Sequence, residues 1–438
     1  MIEYPPHSTK LEMSIQFLAL NQNKELWSFV RAINEEYLYW NKVKYKKSPD
    51  ACSPEELWSR VKLDRLLQTK EVSEWEHYNI HFGLTNKMQS LCHEFDLNFG
   101  GVLGNDSLLQ SEDKHKYLVS SLMEEAIASS QMEGASTTRK VAKDMLRKGL
   151  KPKDKAQQMI LNNYNTIRYI SENKDQILTE EALLHIHSLM TENTLDNPLD
   201  CGRFRDNDDV VVVDDTKSEV VHTPPSHTEI PVFVKTFCDY FNAKEGEVFV
   251  HPIIKGIILH FMIAYMHPFV DGNGRTARAI FYWYMLKEGY WLMEYMSISR
   301  IIYKRKNDYE KAYLYAEADG NDIGYFILYN LKVLKESFED LQVYLKRKSS
   351  ERNDADKFLR IGGINQRQAE ILRLYVENPD KTYFVKDFQI HFGVTATTAK
   401  TDIVGLIEKG YLKEIALNDV KKGYTRSEDF NTILSNSL

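Results

Sequence analysis

The sequence has few cysteines, no long apolar run and no excess of basic residues, and each absence excludes a class of protein. Its four cysteines are scattered through 438 residues without metal-site spacing, so we expect reduced thiols in a cytoplasmic protein. The N-terminus lacks a basic region followed by an apolar stretch, which argues against a signal peptide. The most apolar segment, 252–266, is too short to span a bilayer. A net charge of −7 argues against a general polyanion binder.

The composition suits compact folding. Hydrophobic residues make up 43% of the chain and aromatic residues 12%, and no internal repeat is present. Helical periodicity dominates from end to end, so we expect a mainly α fold with two small β elements. The length leaves room for two or three domains.

The run HPFVDGNGRTAR, His267 to Arg278, carries most of the functional information. The segment before it, Pro252 to Met266, is apolar nearly all round and predicts a buried central helix. This helix should end near Met266, because Pro268 disfavours a helical conformation for the residue before it. A second helix is expected from about Arg275.

Glycines and an acid in the run predict a phosphate site. Gly272, Asn273 and Gly274 stand at a helix start, where successive backbone N–H groups can point one way and cradle an anion. Asp271 is a hard oxygen ligand beside this cradle, suited to a Mg²⁺ that bridges phosphates.

The remaining polar residues of the run suit transfer from a nucleotide to an alcohol. Arg275 and Arg278 lie three residues apart, share a helix face and can grip terminal phosphate oxygens. His267 is a candidate general base for a hydroxyl nucleophile, since its ordinary pKa lies near 6.5. Such a transfer requires little covalent chemistry from the protein itself.

The run resembles the motif of the Fic family, His-x-Phe-x-Asp/Glu-Gly-Asn-Gly-Arg-x-x-Arg, at every fixed position, including Phe269. The resemblance implies transfer of AMP from ATP to a Ser, Thr or Tyr hydroxyl of a protein, with release of pyrophosphate. It makes His267 the base and Asp271 the Mg²⁺ ligand. It places the Gly-Asn-Gly run in the anion hole and Arg275 and Arg278 on the β- and γ-phosphates.

An upstream segment resembles the inhibitory pattern of the same family. Leu118 to Glu133 is expected to form an amphipathic helix that Gly134 closes, which puts the Glu133 carboxylate near a C-terminus that disfavours it. SSQMEG then fits Ser/Thr-x-x-x-Glu-Gly/Asn, with Ser129, Glu133 and Gly134 at the fixed places. The resemblance implies that Glu133 pairs with Arg278 and tilts ATP out of line for attack.

A predicted hairpin lies between these two motifs. A β-branched run, Val210 to Val213, is followed by a polar turn, and Val220, Val221 and His222 return. This order resembles the Fic flap, which holds the target's modifiable segment by adding a strand. A purely structural hairpin remains an alternative. The acidic residues around the flap either favour basic target segments or form a solvated surface.

The segment Ser297 to Ala318 resembles the family's nucleotide-side helix region. Tyr309 and Tyr313 lie four residues apart on one face, and either could line an adenine pocket. We favour Tyr309, and core packing is the alternative for both.

The C-terminal region is predicted to be a separate module. A charged stretch, Lys346 to Lys357, is a linker or an exposed helix end. Helices are expected over 365–375, 383–391 and 395–409, followed by two short strands, and this order resembles a winged helix. The segment from Ile361 to Leu438 contains ten basic and ten acidic residues, so its net charge is zero. A DNA-binding module is usually basic. DNA contact and a structural or partner role both stay open.

The expected organisation has four parts. Residues 1–105 form an N-terminal helical extension and 106–175 the inhibitory-helix region. Residues 176–340 form the Fic core, with flap hairpin 210–222 and motif 267–278, and 358–438 form the winged helix-turn-helix-like domain.

Several functions remain open beside autoinhibited AMP transfer. The same site could remove AMP from a modified protein, or transfer another nucleotide or phosphocholine. The chain could instead be a DNA-binding regulator whose core senses nucleotide. The expected partner is a target protein, with self-modification and a homo-oligomer left open and no membrane expected.

Overall fold

The structure, a computed structural model, describes residues 2–7, 9–99, 111–214, 219–243, 249–359, 361–416 and 422–437. Within these ranges helices dominate, and the strands form three two-stranded antiparallel hairpins. The chain divides into two compact units, Met1–Leu341 and Gln342–Leu438. The mainly helical fold predicted from the sequence is confirmed, although only two of the three hairpins were expected.

The first unit begins with a helical region that also contains the unexpected hairpin. Its elements are α1 (Lys10–Gln22), α2 (Lys24–Glu35), α3 (Trp40–Val43), α4 (Pro54–Leu67), β1 (Thr69–Glu71), β2 (His81–Gly83) and α5 (Asn86–Phe99). The start of α4 follows from its sequence. Ser53 and Glu56 form a reciprocal capping box, and Pro54 takes the first helical position.

Buried polar contacts attach this region to the rest of the unit. The Arg65 guanidinium donates to the Tyr325 hydroxyl at 2.5 Å, and Lys62 pairs with Asp319 at 2.9 Å. The Tyr37 hydroxyl donates to the Asp322 carboxylate at 2.6 Å. Since buried charges are costly unless paired and hydrogen-bonded, this network favours a single orientation of the N-terminal region on the rest of the unit.

The rest of the unit is a helical core with one hairpin. Its elements are α6 (Ser111–Met132), α7 (Arg139–Lys148), α8 (Lys155–Glu172), α9 (Glu180–Thr191), β3 (Val212–Asp214), β4 (Glu219–His222), α10 (Ile230–Asn242), α11 (Pro252–Met266), α12 (Asn273–Lys287), α13 (Ile298–Lys304) and α14 (Lys306–Ala318). Then α15 (Gly324–Leu359) runs across the unit boundary and includes the backbone of 346–357.

The buried helix predicted at 252–266 is α11. It packs against α12, and Gly256 permits the close approach, because a Cβ there would lie 3.2 Å from Tyr284 and 3.3 Å from the Met285 sulfur. Among the described residues no helix is both long and apolar enough to cross a membrane. The hairpin turn and the junction between α5 and α6 fall on residues 215–218 and 100–110, which lie outside the described residues.

The second unit has its own core. Its elements after α15 are α16 (Gln366–Glu377), α17 (Val385–Phe392), α18 (Ala396–Glu408), β5 (Leu412–Ala416), β6 (Lys422–Arg426) and α19 (Phe430–Ser437). Leu372, Tyr375, Phe388 and Ile403 are buried at its centre. Three helices followed by a hairpin is the order predicted from the sequence. Helix α19 was not expected. The winged-helix assignment stays a prediction.

Candidate active site between α11 and α12

The backbone turns sharply where α11 ends. His267 caps the helix in the left-handed region, with φ of +50°, and its N–H donates to the Ile263 carbonyl at 2.9 Å. A residue with a Cβ adopts this conformation rarely, so the surrounding contacts must hold it. The turn directs the chain away from the helix axis and starts the loop at the predicted place.

The His267 imidazole has a defined tautomer. Its Nδ1 lies 3.1 Å from the Ala264 carbonyl oxygen, an acceptor that requires a proton on Nδ1. Burial lowers the pKa of His267 to about 4, against the opposing effect of this hydrogen bond. At neutral pH the ring is therefore uncharged, and Nε2 carries the lone pair that accepts a proton.

Asn273 and Phe269 of the motif stabilise the loop itself. The Asn273 amide donates to the Phe269 carbonyl at 2.8 Å and accepts from the Phe269 N–H at 3.0 Å. Phe269 itself is fully buried. The Asn273 side chain is thus committed to closing the loop, and its backbone N–H stands at the start of α12, where a ligand can accept it.

The glycines give the start of α12 an open face. Gly272 has φ of +82° and caps α12, and a Cβ there would lie 2.7 Å from the Thr191 methyl carbon. A Cβ on Gly274 would collide with the Glu133 carboxylate. Glycine is therefore required for backbone geometry at one position and for close approach of an anionic group at the other. The carboxylate lies where an anion cradle at a helix start is expected.

Arg275 is a buried arginine with unused donors. Its side chain is 0% exposed, and Nη1 donates to the Met190 carbonyl at 3.1 Å. Its Nε and Nη2 have no hydrogen-bond partner among the described residues, and the Asp271 carboxylate stands 3.6 Å from Nη2. Burial lowers the pKa of this guanidinium, and the Asp271 and Glu133 carboxylates oppose the effect. Buried donors of this kind are costly unless a ligand satisfies them.

Arg278 joins α12 to the end of α6. Its Nε and Nη2 donate to the Ser129 hydroxyl and carbonyl at 2.9 and 3.0 Å, and Nη2 also donates to Glu133 Oε1 at 2.9 Å. Burial opposes ionisation of Glu133, but Arg278 and then Arg275 hold the pKa of this carboxyl below its ordinary value. The structure therefore brings together the second motif arginine and two residues of the SSQMEG segment.

Glu133 lies just after α6, not in its last turn. The helix starts at Ser111, earlier than the expected Leu118, and ends at Met132. Gly134 follows with φ of +93°, and the Ala135 N–H donates to the Ser130 carbonyl at 3.0 Å, which closes the helix. We call residues 130–135 the Glu133 turn.

Asp271 is the motif residue most open to solvent. Its side chain is 52% exposed, and one oxygen accepts the Gly272 N–H at 2.5 Å. Among the described residues no group of three or more His, Cys, Asp or Glu could hold a metal ion by itself. A single accessible carboxylate fits Mg²⁺ only as an ion that phosphates also ligate, which is its common mode of binding.

Tyr309 and His222, two predicted site residues, are held in polar contacts. Tyr309 is 8% exposed, and its hydroxyl lies 2.9 Å from His260 Nε2 and 3.2 Å from the Tyr313 hydroxyl. His222 contacts the Glu317 carboxylate at 2.9 Å and the Tyr265 carbonyl at 2.7 Å. Both side chains are therefore held in place by contacts within the protein.

Of the two remaining flap residues, Val220 is exposed and Val221 is half-buried. Val220 is 58% exposed and pairs with Val213, whereas Val221 lies opposite a register irregularity between Val212 and Val213. The hairpin has only two strands, so β4 has no second neighbour within the described residues. An unpaired strand edge is able to accept another strand.

The sequence reasoning missed His187 as a site residue. This fully buried side chain of α9 stacks face to face on Phe269, with ring centroids 3.8 Å apart. Its Nδ1 accepts the Gly202 N–H at 3.1 Å, so Nε2 carries the proton and donates to the Asp271 carbonyl at 2.9 Å. Because C=O and N–H point opposite ways in a trans peptide, this bond directs the Gly272 N–H away from α9. A lone histidine in a helix gives no sequence signal of this role.

Arg205 is a second residue whose role the sequence did not show. It lies in the segment before the flap, and its Nε donates to the His267 carbonyl at 3.0 Å. Its N–H donates to the Pro268 carbonyl at 2.9 Å, and Nη1 pairs with Asp208 at 2.8 Å. Arg205 thus ties the segment before the flap to the strained turn at His267.

Comparison with known proteins shows a family resemblance in the region of the site. Residues 177–285 match the Fic/DOC family, and this region contains the whole loop and its α9 support. The chain therefore contains a region that is similar to the Fic/DOC family. A Fic family protein from Desulfovibrio desulfuricans G20 shares the fold, with a TM-score of 0.50 at 18% identity over 79% of this chain and 98% of that one.

Two curated relatives share part of the sequence. "Protein adenylyltransferase Fic" of Nematostella vectensis is 28% identical over 134 residues, which is 30% of this chain and 29% of the relative. The protein of the same name from Aedes aegypti is 28% identical over 121 residues, or 27% of this chain and 21% of the relative. The chain thus spans less than a third of the length of either relative.

Proposed function

We propose that this chain transfers AMP from ATP to a hydroxyl side chain of a protein and releases pyrophosphate. The observation that carries the proposal is Arg275, which is buried with two unused N–H donors beside an anion cradle and within the same loop as a neutral histidine. Buried unpaired donors fit a multiply charged phosphate ligand. The names of the two relatives support the reaction class.

The chemical step needs one base and accurate positioning. The target hydroxyl oxygen forms a bond to the α-phosphorus of ATP, the bond from that phosphorus to the bridging oxygen breaks, and pyrophosphate leaves. The hydroxyl proton passes to Nε2 of His267, since Nδ1–H is engaged with Ala264. Holding the reactants in line then supplies most of the rate enhancement.

The phosphates are bound by the start of α12. The N–H groups of Gly272, Asn273 and Gly274 form the anion hole, for which the Gly272 N–H exchanges its bond to the Asp271 carboxylate for one to phosphate. Arg275 and Arg278 bind the β- and γ-phosphates. Asp271 would hold a Mg²⁺, which neutralises phosphate charge when bound. Tyr309 stays our candidate for the adenine side, and strand β4 with Val220, Val221 and His222 for the target segment.

The protein is proposed to be autoinhibited. The Glu133 carboxylate binds Arg278 at 2.9 Å and lies against Gly274, so it occupies both the arginine and the cradle needed by the terminal phosphate. Two anions in this space repel each other, because both would lie in contact with the same arginine and the same cradle. ATP then binds with its phosphates displaced from the line of attack, and release of Glu133 permits transfer.

The test uses ATP labelled at the α-phosphate and a Glu133→Gly variant. Label on protein is expected in this variant and none when His267→Ala is added, because the base is lost. Both variants should still bind ATP, measured by the shift of the unfolding temperature. Label that persists without His267 contradicts its role. If label from the γ-phosphate appears instead, a phosphoryl group is transferred and the proposal fails.

Removal of AMP from a modified protein is the second candidate. The observation that favours this reaction is Glu133. Its neighbours Arg278 and Arg275 lower the pKa of its carboxyl, and its side chain is 28% exposed, so the carboxylate could position an attacking water. The discriminating experiment follows AMP release from protein labelled by the Glu133→Gly variant. Release by the wild type but not by Glu133→Gly supports this candidate, and equal release by both excludes a role for Glu133.

A further inference from the structure

A basic surface follows the Glu133 turn directly. Residues 139–155 contain eight Lys and Arg and two Asp, although the whole chain has a net charge of −7. Helix α7 makes up the first part, with Ala142 and Met145 buried beneath and the charged side chains directed mostly outward. We call residues 139–155 the basic segment.

Several cations of the basic segment lack a counter-ion. Lys140, Arg147, Lys151 and Lys153 are exposed and make no ion pair within the ranges that the structure covers, whereas Lys155 pairs with Asp196 at 2.8 Å. Unpaired like charges within one short segment repel one another. An anionic partner would therefore relieve repulsion that the protein itself leaves in place.

Apolar side chains stand between these charges. Val141 is 48% exposed and Leu150 is 50% exposed. The segment contains no aromatic side chain on which a nucleic-acid base could stack. A phosphate backbone would satisfy the charges and leave the two aliphatic residues without a partner, whereas an acidic peptide with apolar side chains satisfies both.

We propose that the basic segment is a docking surface for an acidic amphipathic segment of a polypeptide partner. The charge gives electrostatic complementarity and a fast approach, and Val141 and Leu150 give apolar contact at the centre. Helix α7 packs on α6 and follows the Glu133 turn along the chain, so a bound partner contacts the segment that follows Glu133.

Docking is linked to α6 through Glu124, and this consequence rests on the proposed function. Arg139 Nε donates to both Glu124 oxygens at 3.0 and 2.7 Å, and Lys143 pairs with the same carboxylate. An acidic occupant competes with Glu124 for these two cations. The attachment of α7 to α6 then weakens. Because α7 follows the Glu133 turn along the chain, this gives the turn more freedom and favours release of Glu133 from Arg278.

The docking test measures binding and needs no activity. A fluorescein-labelled synthetic peptide of Glu, Asp and Leu is titrated with the full chain, beside a Gln/Asn version and a single-stranded oligonucleotide. Lys140→Glu/Arg147→Glu/Lys151→Glu should weaken acidic-peptide binding about tenfold or more, because it reverses three contacting charges. The matched control, Lys24→Glu/Lys46→Glu/Lys47→Glu, makes the same charge change at exposed positions outside the segment and should stay within about twofold.

Three outcomes overturn the docking proposal: equal weakening in both variants, equal binding of the neutral peptide, or tighter binding of the oligonucleotide. The link to α6 is tested by adding the acidic peptide to wild type with labelled ATP, where label on protein should rise. Unchanged label despite binding contradicts the link. If Glu133→Gly also transfers no AMP, the proposed function has failed, and the binding result still decides the docking surface.

Discussion

Replacement of Glu133 by glycine is the perturbation that most directly probes the site. It removes one charge-assisted hydrogen bond to Arg278, at 2.9 Å, and empties the space beside Gly274. A hydrogen bond to a charged group contributes about 1.5–3 kcal/mol. If ATP must displace this bond to bind in line, its loss should raise AMP transfer by about tenfold to a hundredfold, at about 1.4 kcal/mol for each factor of ten.

The assay compares initial rates of AMP transfer in wild type, Glu133→Gly and Glu133→Gln. Glutamine keeps the length of the side chain and a hydrogen-bond acceptor but removes the charge. Its rate should therefore lie between those of the other two proteins. ATP should also raise the unfolding temperature more in Glu133→Gly than in wild type, because the bound phosphates no longer meet a carboxylate.

Equal rates in all three proteins would refute this reasoning. The contact between Glu133 and Arg278 would then be compatible with in-line binding of ATP. A rate that rises in Glu133→Gly but not at all in Glu133→Gln would show that bulk, not charge, keeps the phosphates out of place.

Two further predictions concern buried histidines. His187→Phe keeps a ring on Phe269 but loses the bonds to Asp271 and Gly202, so AMP transfer in the Glu133→Gly background should fall about tenfold or more while the protein stays folded by circular dichroism. Burial lowers the pKa of His187 to about 4 and of His260 to about 3, below the value near 6.5 expected when unfolded, so the unfolded state binds more protons between these values. The free energy of unfolding should therefore be greatest above about pH 6.5 and fall on acidification, and His187 alone should account for a loss of roughly 3 kcal/mol at pH 4. Denaturant titrations at several pH values measure this loss, and it should be smaller in His187→Phe.

The motif could be found in the sequence because it is local. Pro268, Gly272 and Gly274 are signals of backbone geometry, and they gave the end of α11 at Met266 correctly. The start of α12 at Asn273 is two residues earlier than expected, since the N-terminal end of a helix is set by its cap at Gly272. The resemblance to the Fic family follows from this local motif, and the mainly helical fold follows from the helical periodicity of the chain.

The supports of the motif could not be found, because they depend on contacts distant in sequence. His187 reaches Asp271 from α9, and Arg205 reaches His267 from the segment before the flap. A histidine or arginine in these places is equally compatible with a surface or a core position until the fold is known. The start of α6 was placed too late for a related reason, since its first turns have no apolar pattern that marks them.

In the proposed mechanism, inhibition requires little structural change. Arg278 keeps two hydrogen bonds to Ser129 that do not involve the Glu133 carboxylate, and Lys306 separately donates to the Met132 carbonyl at 3.2 Å. When the carboxylate leaves, the arginine therefore remains directed toward the cradle, and only one bond needs to be exchanged for a phosphate oxygen. A preorganised donor adds to transition-state stabilisation without a cost of reorganisation. The inhibited and active states then differ mainly in the Glu133 turn, which is the part of the site that a partner on the adjacent basic segment could reach.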